Sequence, residues 1–258
     1  MDFSPILINF LTSFWYFIPL FILIALFKSP WFKGIFGEAQ VNLAAKLFLN
    51  KSDYHLIKNV TLPTEDGTTQ IDHIIASKYG LFVIETKNMK GWIFGSPSQK
   101  TWTQKIYRHT SKFQNPLHQN YKHTKTLQSC LGLPEDVVFS LIVFVGDSTF
   151  KTEMPENVTY AWGYLRFIKS KKNVLLTNDE VSRIVRLIEG GRLTPSFETQ
   201  RQHVKNVKSR LENKENSNLC PKCGSELVLR IAKKGTNKGN EFMACSGFPK
   251  CRYAKNAL

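Results

Sequence analysis

Two sets of side chains in this 258-residue chain have the types and spacings that chemistry needs. The first is Asp72, Glu85 and Lys87. Residues 69–77 and 81–87 are rich in β-formers and lie either side of Lys78-Tyr79-Gly80, so they read as a hairpin. A two-residue turn at Lys78-Tyr79 sets Ser77 against Gly80 and Asp72 against Glu85, with Cβ atoms about 5 Å apart. Lys87, two residues along the strand, shares the face of Glu85. A three-residue turn would shift the pairing by one, so this alignment depends on register. Adjacent carboxylates repel unless a cation joins them, and Mg²⁺ takes such oxygens together with water and substrate phosphate. Asp72, Glu85 and the Thr86 carbonyl would hold the ion, which would lower the pKa of a bound water and polarise a phosphate. Lys87 would orient that water or stabilise charge in the transition state.

Glu38 is a further candidate. In a helix over residues 37–49, Val41, Ala45 and Phe48 follow it on one apolar stripe, so it points inward, where a carboxylate needs a partner. An Asp-x12-Glu-x-Lys spacing is weak evidence by itself, and a solvated, salt-bridged hairpin face is the plainer alternative. The inward Glu38, and Val83 and Ile84 ahead of Glu85 in a strand fit for burial, weigh against that alternative.

The second set is Cys220, Cys223, Cys245 and Cys251. A Cys-x2-Cys knuckle followed by a hairpin and a second pair is the Cys₄ pattern of structural zinc, whose four ligands leave no open catalytic position. So short a segment has no other route to a stable core. An odd cysteine total with one clustered quartet argues against a disulfide framework and for a reducing compartment. The fifth, Cys130, is expected to be a small buried hydrophobe.

The elements that must position these groups can be read coarsely. Residues 6–27 carry no charge, and as a helix they reach about 33 Å, enough to cross a bilayer. Pro19 is tolerated in such a span. Asp2 precedes it while Lys28 and Lys33 follow it, which places the body on the cytosolic side. A cleaved signal peptide would need a basic start and a small-x-small site, and neither is present. Strands are expected at 54–62, 137–145 (central and buried) and 158–162. Helices are expected at 115–131, opened by Pro116, and at 177–189, opened by a Thr177–Glu180 capping box and ended by Gly190-Gly191. Residues 89–98 read as turns with a short strand. The implied class is α/β, a mixed sheet flanked by helices. The divisions are a transmembrane helix at 6–27, a body at 34–193, a charged linker at 194–217 and a zinc ribbon at 218–255. Net charge is +15, and residues 199–258 hold 13 Lys/Arg against 4 Asp/Glu, which favours a polyanionic partner.

Gly37-Glu38, Gln70-Ile71-Asp72-His73-Ile74-Ile75 and Gly80-Leu81-Phe82-Val83-Ile84-Glu85-Thr86-Lys87-Asn88 resemble the nuclease-related domain (NERD) family. So do Lys90-Gly91-Trp92-Ile93-Phe94-Gly95, Trp102 and Asn115-Pro116-x-x-Gln119, so the resemblance spans about residues 34–145. It implies a restriction-endonuclease-like PD-(D/E)xK fold with Glu38, Asp72, Glu85 and Lys87 as the catalytic set. Gln104, Asn115 and Gln119 would line the site or touch phosphate, with helix capping the expected role of Asn115. His73 is expected to be structural and to face the other side of its strand. His109, His118 and His123 lack a His-Glu-x-x-His spacing and read as polar surface. The cysteine segment, with Arg230, Phe242-Met243-Ala244-Cys245-Ser246-Gly247-Phe248-Pro249 and Cys251-Arg252-Tyr253, resembles the C-terminal C4 zinc fingers of type I DNA topoisomerases. That implies DNA binding with a preference for single strands. Arg230, Lys233, Lys234, Lys238, Lys250 and Arg252 would meet phosphates. Phe242, Phe248 and Tyr253 offer stacking faces, Phe248 being the one expected to pack the ribbon instead. The combined expectation is a nuclease held at a bacterial plasma membrane, with catalytic Mg²⁺, structural Zn²⁺ and DNA as partner. The alternatives are a non-catalytic DNA tether at the bilayer and a ribbon that docks a protein.

Overall fold

The computed structural model describes residues 15, 17–64, 67–194, 198–199, 201–202, 204–206, 209, 220, 222–232 and 238–256. The chain divides into two compact units, Met1–Thr199 and Gln200–Leu258.

In the larger unit, helix α1 (Ile18–Lys28) buries none of its residues. Among the described residues no single helix is long and apolar enough to cross a membrane. Ile18–Lys28 and Phe32–Phe48 reach that length only as a pair bent by 61°. Residues 6–14 and 16 of the expected span lie outside the described residues. Helix α2 (Pro30–Phe48) starts earlier than periodicity predicts, because Pro30 stands at its first position and Ser29 caps it by accepting from the Phe32 amide. The expected stripe is also corrected. Val41 and Ala45 are buried and the stripe continues to Leu49, whereas Phe48 is exposed and Glu38 lies half-buried at the edge.

The main sheet has the order β1-β2-β3-β7-β9. Strands β1 (Tyr54–Thr64), β2 (Gly67–Ser77) and β3 (Gly80–Asn88) form an antiparallel meander. The apolar run of β7 (Val138–Val145) joins parallel to β3, and β9 (Val158–Tyr160) joins parallel to β7. On one face Val41 and Ala45 of α2 pack with Ile75, Phe82, Ile84, Leu141 and Val143. Tyr164 and Ile168 of α4 (Gly163–Ser170) complete this cluster. The other face buries Ile74, Leu81 and Val83 under Leu127 of α3 (Pro116–Leu131) and Val181, Ile184 and Ile188 of α5 (Asn178–Gly191). The Thr177–Glu180 capping box opens α5, but Gly190 and Gly191 lie inside the helix and the extended Arg192 ends it. Cys130 is exposed, not buried. Leu127 and Leu131, one helical turn apart, face the core, and Cys130 stands off that line.

A second sheet, of order β6-β5-β4-β8, was not expected from the sequence. It comprises β4 (Gly91–Phe94), β5 (Thr101–Ile106), β6 (His109–Gln114) and β8 (Ser148–Phe150). Trp102 is fully buried, stacks on Phe144 of β7 and joins this sheet to the main one. Asn115 fastens the junction. Its side-chain oxygen caps α3 by accepting from the Leu117 amide, while its amide nitrogen donates to the carbonyls of Ser96, Pro97 and Gln99. Asn115→Ala removes the cap and the three side-chain hydrogen bonds that tie residues 96–99 to the start of α3. It should destabilise the larger unit by about 2 kcal/mol, read as a shifted urea midpoint at unchanged slope.

In the smaller unit, β10 (Leu227–Ile231), β11 (Glu241–Cys245) and β12 (Ala254–Asn256) make an antiparallel three-stranded sheet. Its small core is Cys220, Leu227 and Cys245, with Met243, Cys251 and Tyr253 packed against them.

Candidate active site and zinc centre

The hairpin turn has two residues, with Ser77 paired to Gly80 as the sequence register requires. The ladder between β2 and β3 stops at His73↔Ile84, one step before Asp72 and Glu85. From there β2 remains paired with β1 while β3 follows β7 as far as Asn88↔Val145. The two strands therefore part at the candidate carboxylates. The regular alternation of faces also breaks here. Ile71 packs in the same cluster as Ile74, and Val60 in the same cluster as Ile57, although each pair is three residues apart. Asn59 sits at the step with φ of 51°. The register expected from the sequence holds as far as His73↔Ile84, but Asp72 and Glu85 are not themselves a ladder pair. Asp72 reaches β3 by a different route: its Oδ2 accepts from the Thr86 amide at 2.8 Å. A carboxylate occupies the place where a regular ladder would supply a backbone carbonyl.

Glu85 is almost fully buried. Its Oε1 accepts from Lys87 Nζ at 2.7 Å, and Lys87 also donates to Gln119 Oε1 at 2.9 Å. Its Oε2 lies 3.4 Å from His123 Nε2, and neither atom makes a hydrogen bond. His123 Nδ1 is 2.8 Å from Thr69 Oγ1 on β2. The structure therefore brings Glu85, Lys87 and Gln119 together and adds His123, which the sequence reading left on a polar surface. A signal was available: Gln119, His123 and Leu127 follow one another at four-residue intervals, and Leu127 is core. Gln104 is elsewhere, donating to the Lys90 carbonyl. His109 is exposed, and His118 is half-buried with its Nε2 2.8 Å from the Pro97 carbonyl. His73 is fully buried, and that burial holds its ring down to about 4, so it is neutral and structural.

Glu38 comes near because α2 approaches the end of β7 closely. A Cβ on Gly37 would lie 2.7 Å from Val145 Cγ2, a clash that only glycine avoids. Burial, and then the charge of Glu85, raise the Glu38 carboxyl above its usual range. Asp72 is pushed well above it by burial first, then by the negative charges of Glu85 and Glu38, against the opposing Thr86 amide and Lys87. Glu85 goes the other way. Burial would raise it, but His123 and Lys87 together outweigh burial and hold it low. One carboxyl of the pair thus keeps its proton more readily and the other stays ionised.

Among the described residues, only the four cysteines bring three or more His, Cys, Asp or Glu ligand atoms within 4.8 Å of one another. Cys220 and Cys251 sulfurs are 3.7 Å apart, and those of Cys223 and Cys245 are 3.3 Å apart. A tetrahedral Zn²⁺ with four thiolates sets sulfurs at about 3.8 Å, so the quartet fits that ion. Gly224 turns the first knuckle with φ of +76°, and the Gly247 amide donates to Cys245 Sγ. Around this core Arg230, Lys238, Lys250 and Arg252 are exposed, while Lys233 and Lys234 lie outside the described residues. The roles expected of two rings are exchanged. Phe248 is 57% exposed, and Tyr253, two residues after Cys251, packs against the cysteine cluster.

Residues 33–145 match the family model described as nuclease-related domain, and residues 217–258 match that of the topoisomerase DNA binding C4 zinc finger. An uncharacterised protein of Bacillus anthracis is 39% identical over 184 residues, covering 68% of this chain and 84% of that protein. DNA topoisomerase 1 of Helicobacter pylori is 45% identical over 51 residues, which is 20% of this chain but 6% of the topoisomerase. An uncharacterised protein of Escherichia coli is 44% identical over 49 residues, or 19% of this chain and 24% of that protein.

Two outcomes follow from the geometry. Asp72 binds its proton more tightly in the folded chain than unfolded. Its contribution to stability is present below the ordinary carboxylate range and lost as pH rises through the raised folded value. Glu85 has the opposite sign, its contribution being lost as pH falls through its lowered value. Asp72→Asn keeps an acceptor for Thr86 and removes the repulsion. Urea unfolding near pH 8 should show it more stable by about 1 kcal/mol, and the gain should vanish near pH 3. Metal analysis of the purified chain should give one zinc, and Cys245→Ser should lose it and expose residues 222–256 to protease.

Proposed function

Because this chain belongs to the nuclease-related-domain (NERD) family and carries a topoisomerase-type C4 ribbon, we propose that it is a membrane-anchored, metal-dependent nuclease hydrolysing DNA phosphodiester bonds. One observation carries this reading. Where β2 and β3 part, a carboxyl pushed up (Asp72) and a buried carboxylate held down (Glu85) share their surroundings with a single lysine. Such a division of carboxyls is a mark of catalytic sites.

Asp72 and Glu85 would hold Mg²⁺. They suit it because burial and then the negative charges of Glu85 and Glu38 raise Asp72, a state that a cation would relieve, and Glu85 Oε2 lacks a hydrogen bond. Mg²⁺ needs only one or two protein carboxylates, since it keeps several waters and takes substrate phosphate as well. When bound, it supplies a Lewis acid for the phosphate and a water of lowered pKa. Lys87 would place its ammonium against the negative charge that builds on the phosphate oxygens, and Gln119 would keep it aimed. His123, braced by Thr69, would fix the orientation of Glu85. Water adds at phosphorus as the bond to the leaving sugar oxygen breaks, giving a phosphomonoester and a hydroxyl. The ribbon's exposed Arg230, Lys238, Lys250 and Arg252, with Lys233, Lys234 and the edge of Tyr253, would hold the DNA. The unburied apolar α1 would continue an anchor through residues 6–27, leaving both units on the cytosolic side.

A second reading, a DNA tether that keeps the acidic cluster for structure, is favoured by the same contacts seen differently. Lys87 is already engaged by Glu85 and Gln119, and Glu38, Asp72 and Glu85 do not close on one point. The deciding assay uses the full-length, zinc-loaded chain in detergent, with plasmid and single-stranded DNA, with and without Mg²⁺. Cleavage should require Mg²⁺ and fall at least about 100-fold in Asp72→Asn and Lys87→Gln, each checked for an unchanged melting profile or a more stable one. Equal cleavage by parent and variants would remove the hydrolase assignment. Tight binding without cleavage would leave the tether.

A further inference from the structure

The small sheet takes no part in holding the carboxylates, yet its charge is one-sided. Residues 89–114, which build β4, β5 and β6, contain Lys90, Lys100, Lys105, Arg108 and Lys112 and no Asp or Glu. Two aromatic rings stand out among these charges. Trp92 is 48% exposed, and the ammonium groups of Lys105 and Lys151 lie 5.7 and 4.8 Å from the centre of its ring. Among the described residues neither lysine pairs with a carboxylate. Both ammonium groups therefore carry charge that no acid neutralises, and an anion near Trp92 would be attracted to them.

Tyr107 is the second ring. It occupies the two-residue turn between β5 and β6, where Ile106 pairs with His109, and it is 93% exposed. Its φ is +52°, a left-handed conformation that costs a non-glycine residue about 1–2 kcal/mol. A glycine would fit this turn without strain, and the tyrosine gains no packing in return. Lys90, Trp92, Lys105, Tyr107 and the exposed Asp147 line one open cleft of about 590 Å³. The cleft begins two residues after Asn88 ends β3, the strand that carries Glu85 and Lys87.

We propose that this cleft is a track for one strand of nucleic acid, with Lys90, Lys105 and Lys151 on its phosphates and Trp92 and Tyr107 stacking its bases. The inference extends the reading of the chain as a DNA-acting protein, but it stands on residues that reading does not use. A single strand fits better than a duplex because stacking needs base faces, which a duplex keeps covered. An acidic peptide could satisfy the lysines, but it would leave the strained, solvent-facing tyrosine without a partner.

The test uses the full-length, zinc-loaded chain carrying Arg230→Ala and Arg252→Ala, so that the ribbon contributes less. A fluorescein-labelled 20-nucleotide single-stranded DNA is titrated by anisotropy without Mg²⁺ over a range of salt. Tyr107→Gly should weaken binding at least about 5-fold while keeping or raising the melting temperature, because it removes a ring and relieves strain. Lys105→Gln with Lys151→Gln should flatten the slope of log affinity against log salt by about 1.4. Unchanged affinity and slope in both variants would overturn the track, as would poly-glutamate competing as well as unlabelled DNA. In the Mg²⁺ cleavage assay, activity lost in Asp72→Asn alongside unaltered binding in Tyr107→Gly would reject the track and keep the nuclease. Weakened binding in Tyr107→Gly with no cleavage by the parent would do the reverse.

Discussion

A carboxylate buried in a strand between other strands must find a cation, and the neighbourhood of Glu85 is organised by that requirement. β3 is covered on both faces and Glu85 is almost fully buried, so water does little to stabilise its charge. Lys87 answers from two residues along the same strand, and His123 approaches from the helix above. Those contacts outweigh the desolvation that would otherwise neutralise the group. Asp72 receives no equivalent relief, so the acids are held in unequal states by their surroundings and not by their chemical type.

The parting of β2 from β3 is what leaves room for this arrangement. Strand β3 keeps its parallel ladder with β7 to its end but loses β2 after Ile84, so its last four residues have one backbone partner strand and one open side. Asp72 fills part of the opening through the Thr86 amide. The glycine at position 37 lets α2 close in from the opposite face, and the Asn115 cap sets the start of the helix that carries Gln119 and His123. Residues far apart in the chain thus act on one short stretch of strand.

The two units reach stability by different physics. The larger one buries two aliphatic layers on either side of a five-stranded sheet. The smaller one has, among the described residues, a core of three buried residues, too little to fold on apolar burial alone, and a metal held by four sulfurs supplies the difference. Its basic side chains stay outside because the interior has space only for ligands and their immediate neighbours.

Much of this was written locally. The Cys-x2-Cys knuckle and its partner pair fix the zinc ligands by spacing alone, because a tetrahedral ion and a tight turn admit few alternatives. The two-residue turn at Lys78-Tyr79, the capping box at Thr177 and the apolar run at 137–145 are likewise short-range consequences of residue type. The pairing of Glu85 with Lys87 follows from a two-residue strand period. Contacts across long stretches of chain were not written there. Periodicity marks which residues of a helix face inward but not what they meet, so His123 looked like surface until α3 was laid over β3. Cross-strand pairing assumes an unbroken ladder, and Asp72 and Glu85 fall beyond its end because the divergence of two strands is set by which neighbour each one keeps. The second sheet eluded prediction for the same reason. Its strands are three to six residues long, and they hold together through Trp102 packed on β7, a contact that exists only once the chain has folded.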